Sequence, residues 1–245
     1  MIVVVPVDPP REGVVLSSLV DRTVLTEAEA RELYEASVVD VLRTAASSGG
    51  DLLVNYRDED ALPDSISADP KAEVRELATA ALGALEDVRF ERQVGSTRAA
   101  RVGNTVTHLL EQEGADSVGV LEPTAPLVAR TEIDGAAMSL RRHDVVLGAS
   151  SGGRTYFTGF SEPIDFTDAD AVPELATLAE RADEDGLDVG FAPTVPTIAT
   201  ESGLCATIAG GRARAVTERS AGATTTAVAE DLGLRVGEGE SIERE

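Results

Sequence analysis

Four short runs of branched and aliphatic residues, each leading into a longer stretch at helical spacing, restrict what this chain can fold into more than any other feature. The first run is Ile2–Val7, IVVVPV, which is apolar at every position. A strand with one face in water would alternate with polar residues, so an unbroken apolar strand is covered on both faces. The second run is Asp51–Tyr56 (DLLVNY), the third spans 88–94, and the fourth is SVGVL at 117–121. Between them lie helix signals. Thr26 with Glu29 three residues on forms a capping box, and Ala30, Leu33, Tyr34, Val38, Val41, Leu42 and Ala45 follow at helical spacing until Gly49-Gly50. Asp69-Pro70 opens the next helix, with Pro at the first helical position where its missing N–H costs nothing. A third helix is predicted over 97–113. Strand–helix alternation implies a mainly parallel sheet with helices on both faces. The expected architecture is one three-layer α/β/α domain over 1–236, with 237–245 as a frayed acidic tail.

Downstream, 144–160 reads DVVLGASSGGRTYFTGF: a buried strand, a small-residue turn and a second strand. Gly tolerates positive φ and has no Cβ, so such a turn brings backbone close to a ligand. Helices are predicted at 131–142, 172–185, 200–219 and 224–232, and a short strand at 188–192. The segment 58–69 reads as a solvated acidic loop. In parallel sheets of this kind ligands bind beyond the carboxyl ends of the strands. The loops 8–25, 95–101, 122–127 and 150–154 are therefore expected around one crevice.

Composition narrows the partners. Formal net charge is −23, with Lys71 the only lysine among 21 basic residues. No basic stripe exists to displace phosphate counterions, so nucleic-acid binding is excluded as an expectation. Hydrophobic content of 42% is that of a folded core rather than of a disordered acidic chain. An acidic, lysine-poor surface over such a core suits high salt, where screening shortens self-repulsion. The lone Cys205 leaves no intrachain disulfide or paired-cysteine metal site and fits a reducing cytoplasm. No apolar run approaches a membrane span, and the N-terminus enters a strand without a charged leader.

On these residues the chain resembles the small glycosyltransferase-A-like proteins of the nucleotide-diphospho-sugar transferase superfamily. More narrowly, it is similar to a prokaryotic branch related to 2-phospho-lactate guanylyltransferase. That branch shows D-V-V-L-G-P-A-x-D-G-G-Y-Y-L-I-G; here Asp144-Val145-Val146-Leu147-Gly148 and Tyr156-Phe157-Thr158-Gly159 match it. The resemblance implies a small-molecule partner, a nucleotide or sugar nucleotide, and Mg²⁺ or Mn²⁺ if the chain is an active glycosyltransferase or nucleotidyltransferase. It also shows where this chain departs. The branch's first loop reads K-x-P-x-x-G-x-x-K-T-R-L; here Pro10, Gly13 and Leu19 remain, while its basic positions are Asp8, Leu16 and Ser18. Thr124 stands where an Asp would hold the metal, Gly152 stands at a second Asp, and Ala199 to Leu204 lack both carboxylates of a later element. Glu122 is the one nearby metal candidate. The ligand-binding candidates are Arg11, Gly13, Arg98, Arg101, Thr124, Gly152, Gly153, Arg154 and Tyr156.

Hard cations want several oxygen ligands, and a triphosphate wants positive charge or a nest of N–H groups. The expectation is therefore a transferase-like protein with an altered or lost metal–phosphate site. The alternative is a non-catalytic descendant that binds a small anion, regulates or serves as a scaffold. Convergence of Glu122 with another carboxylate, such as Asp165 or Glu201, would favour the enzyme. His108 and His143 read as surface groups, Ser150-Ser151 lacks the pattern of a nucleophile turn, and Cys205 reads as core packing.

Overall fold

Alternation along the first strand sets the layers. In a computed structural model that describes residues 1–59, 69–217 and 221–244, β1 (Ile2–Val7) sends Val3, Val5 and Val7 to one side and Val4 to the other. Both sides are covered. On the first lie α2 (Glu27–Ser47), α3 (Pro70–Leu82) and α5 (Arg130–Ser139), which contribute Val38, Leu42, Val74, Ala78 and Ile133 to one buried cluster. On the second lie α4 (Arg98–Thr107) and α6 (Glu174–Glu184), whose Ala99, Val106, Leu178 and Ala182 join Phe160 and Phe166. The expected α/β/α arrangement is the one observed.

The central sheet has seven strands in the order β3-β2-β1-β4-β6-β5-β7. These are β2 (Asp51–Tyr56), β3 (Arg89–Arg92), β4 (Val118–Leu121), β5 (Val145–Ala149), β6 (Thr155–Phe160) and β7 (Val189–Ala192). All pairings are parallel except the two made by β6, which runs antiparallel to both β4 and β5. The 144–160 segment is thus a hairpin inserted into a parallel sheet. Its turn is tight because Gly152 and Gly153 take φ of 71° and 75°, a region closed to most side chains. Its strand pair fits closely because Gly148 has no Cβ: one there would lie 2.5 Å from the Tyr156 ring.

Three features depart from the sequence reading. The connection 8–25 is not wholly irregular, since Ser17–Val20 forms the short helix α1. The helix expected over 97–113 changes pitch at its end, where His108–Gln112 is a π-helical turn. The C-terminal residues expected to fray instead pair: β8 (Leu234–Val236) runs antiparallel to β9 (Ile242–Arg244), and Ile242 is buried. With α7 (Glu201–Val216) and α8 (Ala223–Asp231), this hairpin closes a third apolar cluster around Leu19, Leu33, Leu204 and Leu234. Spacing in 237–244 gave no strand signal, and the pairing is decided by the cluster beneath it. Residues 60–68 of the expected acidic loop lie outside the described residues, as does the end of the 200–219 helix. Among the described residues no helix is long and apolar enough to cross a membrane.

Candidate functional site

The carboxyl ends of β1, β2 and β4 meet under the N-terminus of α4, and a crevice opens there. It is lined by Asp8, Tyr34, Asn55, Gln93, Arg98, Arg101, Glu122 and Thr124, together with Val14, Val15 and Leu16 of the first loop. Each lining side chain has a local reason to be there. Thr97 caps α4, its hydroxyl accepting the Ala100 N–H at 3.1 Å, and this starts the helix so that Arg98 and Arg101 fall in its first turn. Along β4, Val118 and Val120 alternate toward the α4 side, and Glu122, two residues further on, follows them into the crevice.

The crevice has an internal hydrogen-bond frame. The Gln93 side chain donates to the Asn55 carbonyl at 2.8 Å and accepts from Arg101 Nε at 2.7 Å. Asn55 in turn donates to the Glu91 carbonyl at 3.2 Å and accepts from the Thr105 hydroxyl at 3.2 Å. Asn55 and Gln93 are buried, so these bonds remove polar groups that would otherwise be costly. Burial, followed by the repulsion of Arg57, lowers the pKa of Arg101. On the far wall the Asp8 N–H donates to the buried Tyr34 hydroxyl at 2.9 Å, and burial raises that phenol's pKa. The Asp8 carboxylate lies 3.7 Å from Arg57.

At the floor Arg98 and Glu122 form an ion pair and a hydrogen bond. The Arg98 pKa is raised by the charge of Glu122 first, and by Glu174 and Asp8 as well. A second, smaller chamber adjoins the crevice at this pair: Arg98, Val102 and Glu122 border both spaces. Thr155, Thr158, Phe166, Asp170, Glu174 and Leu178 complete the chamber. Glu174 accepts the Thr155 N–H at 3.1 Å. Its carboxyl is pushed above the usual carboxylate range by burial and then by the charge of Glu122.

Of the residues singled out in sequence, Arg98, Arg101, Glu122 and Thr124 come together here. Thr124 is buried, and its carbonyl accepts the Ile198 N–H at 2.8 Å. The others go elsewhere. Arg11 is held by Glu73 of α3 through two hydrogen bonds of 3.1 and 2.7 Å. Gly13 is exposed and faces Glu27, with φ of 73°. Gly152 and Gly153 shape the β5–β6 turn, and neither borders the crevice or the chamber. Arg154 lies in the same turn, and its guanidinium has no hydrogen-bond or ion-pair partner among the described residues. Tyr156 is 1% exposed within the first buried cluster and lines neither space.

The carboxylate convergence tested by sequence takes a different form. Asp165 accepts the Thr167 N–H at 2.9 Å, and Glu201 accepts the Ile242 N–H at 3.0 Å, so each is committed elsewhere. The acid that joins Glu122 is Glu174, at the first position of α6. Nothing in spacing or composition marks it, because fifty residues separate it from β4 and only the tertiary fold brings the two together. Asn55 carried a faint signal as a polar residue inside an apolar strand. His143 sits 2.7 Å from Asp188, and His108 sits 3.3 Å from Glu113, both on the surface.

Glu122 is engaged by Arg98, Thr124 is neutral, Gly152 and Ala199 bring no oxygen ligand from a side chain, and among the described residues no group of three or more His, Cys, Asp or Glu is disposed to hold a metal ion. These donors do not fit Mg²⁺ or Mn²⁺ as arranged.

The chain is similar in structure to a candidate nucleotide-diphospho-sugar transferase from Desulfovibrio desulfuricans G20. That similarity covers 94% of each chain at 21% identity with a TM-score of 0.72. It is also similar to a cytidylyltransferase from Leptospira borgpetersenii serovar Hardjo-bovis, over 94% of this chain and 93% of that one, at 10% identity and a TM-score of 0.53. No family model and no curated protein matches the chain. At these identities the likeness concerns the fold, which is nucleotide-diphospho-sugar transferase-like.

Proposed function

We propose that this is a nucleotide-sugar- or nucleotidyl-transferase-like protein whose metal–phosphate site is altered, and that its crevice takes a small molecule without a bridging divalent cation. The observation that carries this reading is the Arg98–Glu122 pair on the crevice floor. In a metal-assisted transferase a carboxylate at this strand end would face a cation shared with phosphates. Here it faces a guanidinium of its own chain. Arg11, the one basic residue of 8–19, is likewise held by Glu73, so little positive charge remains for a triphosphate. The crevice offers about 150 Å³ of space, less than sites that enclose a whole drug-sized ligand. A nucleoside or sugar fragment fits that space better than an intact sugar nucleotide. A nucleotide-derived ligand is the favoured class because chains of this fold include the cytidylyltransferase above, and because the β5–β6 motif resembles the guanylyltransferase-related branch.

A second reading, a non-catalytic binder of a small anion, is favoured by Arg154 in the glycine turn, whose guanidinium has no partner among the described residues. Thermal-shift measurement in molar KCl tests both. The panel is inorganic phosphate, nucleoside mono-, di- and triphosphates and sugar nucleotides, each with Mn²⁺ and with chelator. The expected result is stabilisation by at least one nucleotide that chelator does not remove. Metal-dependent product formation would overturn the altered-site reading. Stabilisation by inorganic phosphate alone, lost in Arg154→Ala, would favour the anion binder.

A further inference from the structure

The small chamber behind the Arg98–Glu122 pair carries more charge than its contacts balance. Among the described residues, three acids, Glu122, Asp170 and Glu174, line it against one guanidinium, that of Arg98, with Arg101 within Coulombic reach of Asp170 from the crevice side. Its remaining walls are largely apolar, with Val120, Phe166 and Leu178 among them. A second observation is independent of the acids. Thr158 on β6 is 7% exposed and lines the same chamber, and its hydroxyl has no hydrogen-bond partner among the described residues. Its hydroxyl is left open to a partner inside the chamber. The chamber offers about 30 Å³ of room for water-sized groups, enough for one or two of them.

Water would satisfy Thr158 but leave the excess negative charge in place. A primary ammonium satisfies both, being compact, positive and furnished with three donors. A quaternary ammonium has no donor to offer, and a guanidinium is larger than the space. We propose that this chamber is a subsite for the protonated primary amine of a ligand whose remainder lies in the adjoining crevice. Glu122, Glu174 and the Thr158 hydroxyl accept its N–H bonds. The upward push on the Glu174 carboxyl, from burial and then from Glu122, agrees with a chamber that gains when a cation enters. The inference rests on the crevice being a small-molecule site and deepens it, since it names an amine-bearing ligand such as an amino sugar or an aminoacylated fragment.

The test uses the full chain and three salts at matched chloride: methylammonium, tetramethylammonium and potassium. Thermal shift is read for wild type, Glu174→Gln and Thr158→Val. The glutamine retains an acceptor for Thr155 N–H, and the valine is close in shape to threonine, so at least one folded variant is available; circular dichroism checks both. Methylammonium is expected to stabilise wild type saturably and beyond the other two salts. Its apparent affinity is expected to fall at least tenfold in either variant. Equal shifts with all three salts would overturn the subsite and leave a hydrated cavity. A methylammonium effect undiminished in both variants would overturn its placement. The nucleotide series of the preceding section, run on the same preparation, reports separately on the crevice. A nucleotide shift without a methylammonium effect removes the amine subsite alone, whereas the converse supports it and removes the nucleotide class.

Discussion

Asp40 stands in the middle of α2 and is 6% exposed, a place where an acid is costly unless bonded. Its carboxylate accepts the Thr224 N–H at 3.1 Å, the Thr225 N–H at 2.8 Å and the Thr225 hydroxyl at 2.8 Å. It therefore caps α8 from a helix 184 residues away in sequence. Asp40→Ala should cost about 2 kcal/mol, as for loss of a helix cap with buried donors left open, read as a lower urea midpoint. Tyr156 is the opposite case. Its hydroxyl is buried without a partner among the described residues, and burial raises its pKa. Tyr156→Phe should leave stability unchanged or raise it by up to about 1 kcal/mol, because the penalty of a buried unpaired group disappears. Glu174 gives a pH-dependent test. Its folded pKa is raised, so its favourable contribution is complete below the ordinary carboxylate range and is lost as pH rises through the folded value. Glu174→Gln should therefore be more stable than wild type at pH 7, with the difference closing as pH falls below about 4. Equal urea midpoints for the two at pH 7 would contradict the assignment.

At the scale of elements, the strands were legible because their patterning is local. β1 and β2 begin and end where the apolar runs do, and the Thr26 capping box is present, with the Thr26 N–H donating to Glu29 at 2.8 Å. Asp69 caps α3 as its sequence suggests, accepting the Ala72 N–H at 3.1 Å. The β8–β9 hairpin was not legible, since it is held by distant partners. Arg244 reaches back to Glu29, with oxygens at 2.8 and 2.6 Å, and to the Val24 carbonyl at 3.1 Å. Glu29, bonded first by Arg244 and then by Thr26, has its pKa lowered from 4.5 to about 2. A lowered folded pKa contributes stability above the unfolded value that is lost as pH falls through the folded one. Acid unfolding of wild type should therefore steepen between about pH 4.5 and 2. Glu29→Gln should show a shallower slope in that window, followed by circular dichroism. The same reach limits the reading of the site. Arg98 and Arg101 could be placed at a helix start near the strand ends, but Glu174, Asn55 and Gln93 reached the site through α6, β2 and the end of β3.

For the whole molecule, charge acts at longer range than any contact. A net charge of −23 on 245 residues opposes compaction, and the range of that repulsion falls from a Debye length of about 10 Å at 0.1 M salt to about 3 Å at 1 M. The urea midpoint should rise as KCl is raised from 0.1 to 2 M, most steeply at the low end. A midpoint that falls over that range would contradict self-repulsion as the reason. The sequence alone determined the alternating architecture, the mainly parallel sheet and the caps of α2 and α3, because periodicity and capping are local properties. Only the tertiary structure decided what lines the crevice and the chamber. It set Glu122 against Arg98 and beside Glu174, drew Arg11 to Glu73, buried Tyr156 in the core and folded the acidic C-terminus into a strand. Each of these pairings joins residues far apart in the chain. Charge and burial at such a meeting point depend on which elements the core brings together, which no local pattern records.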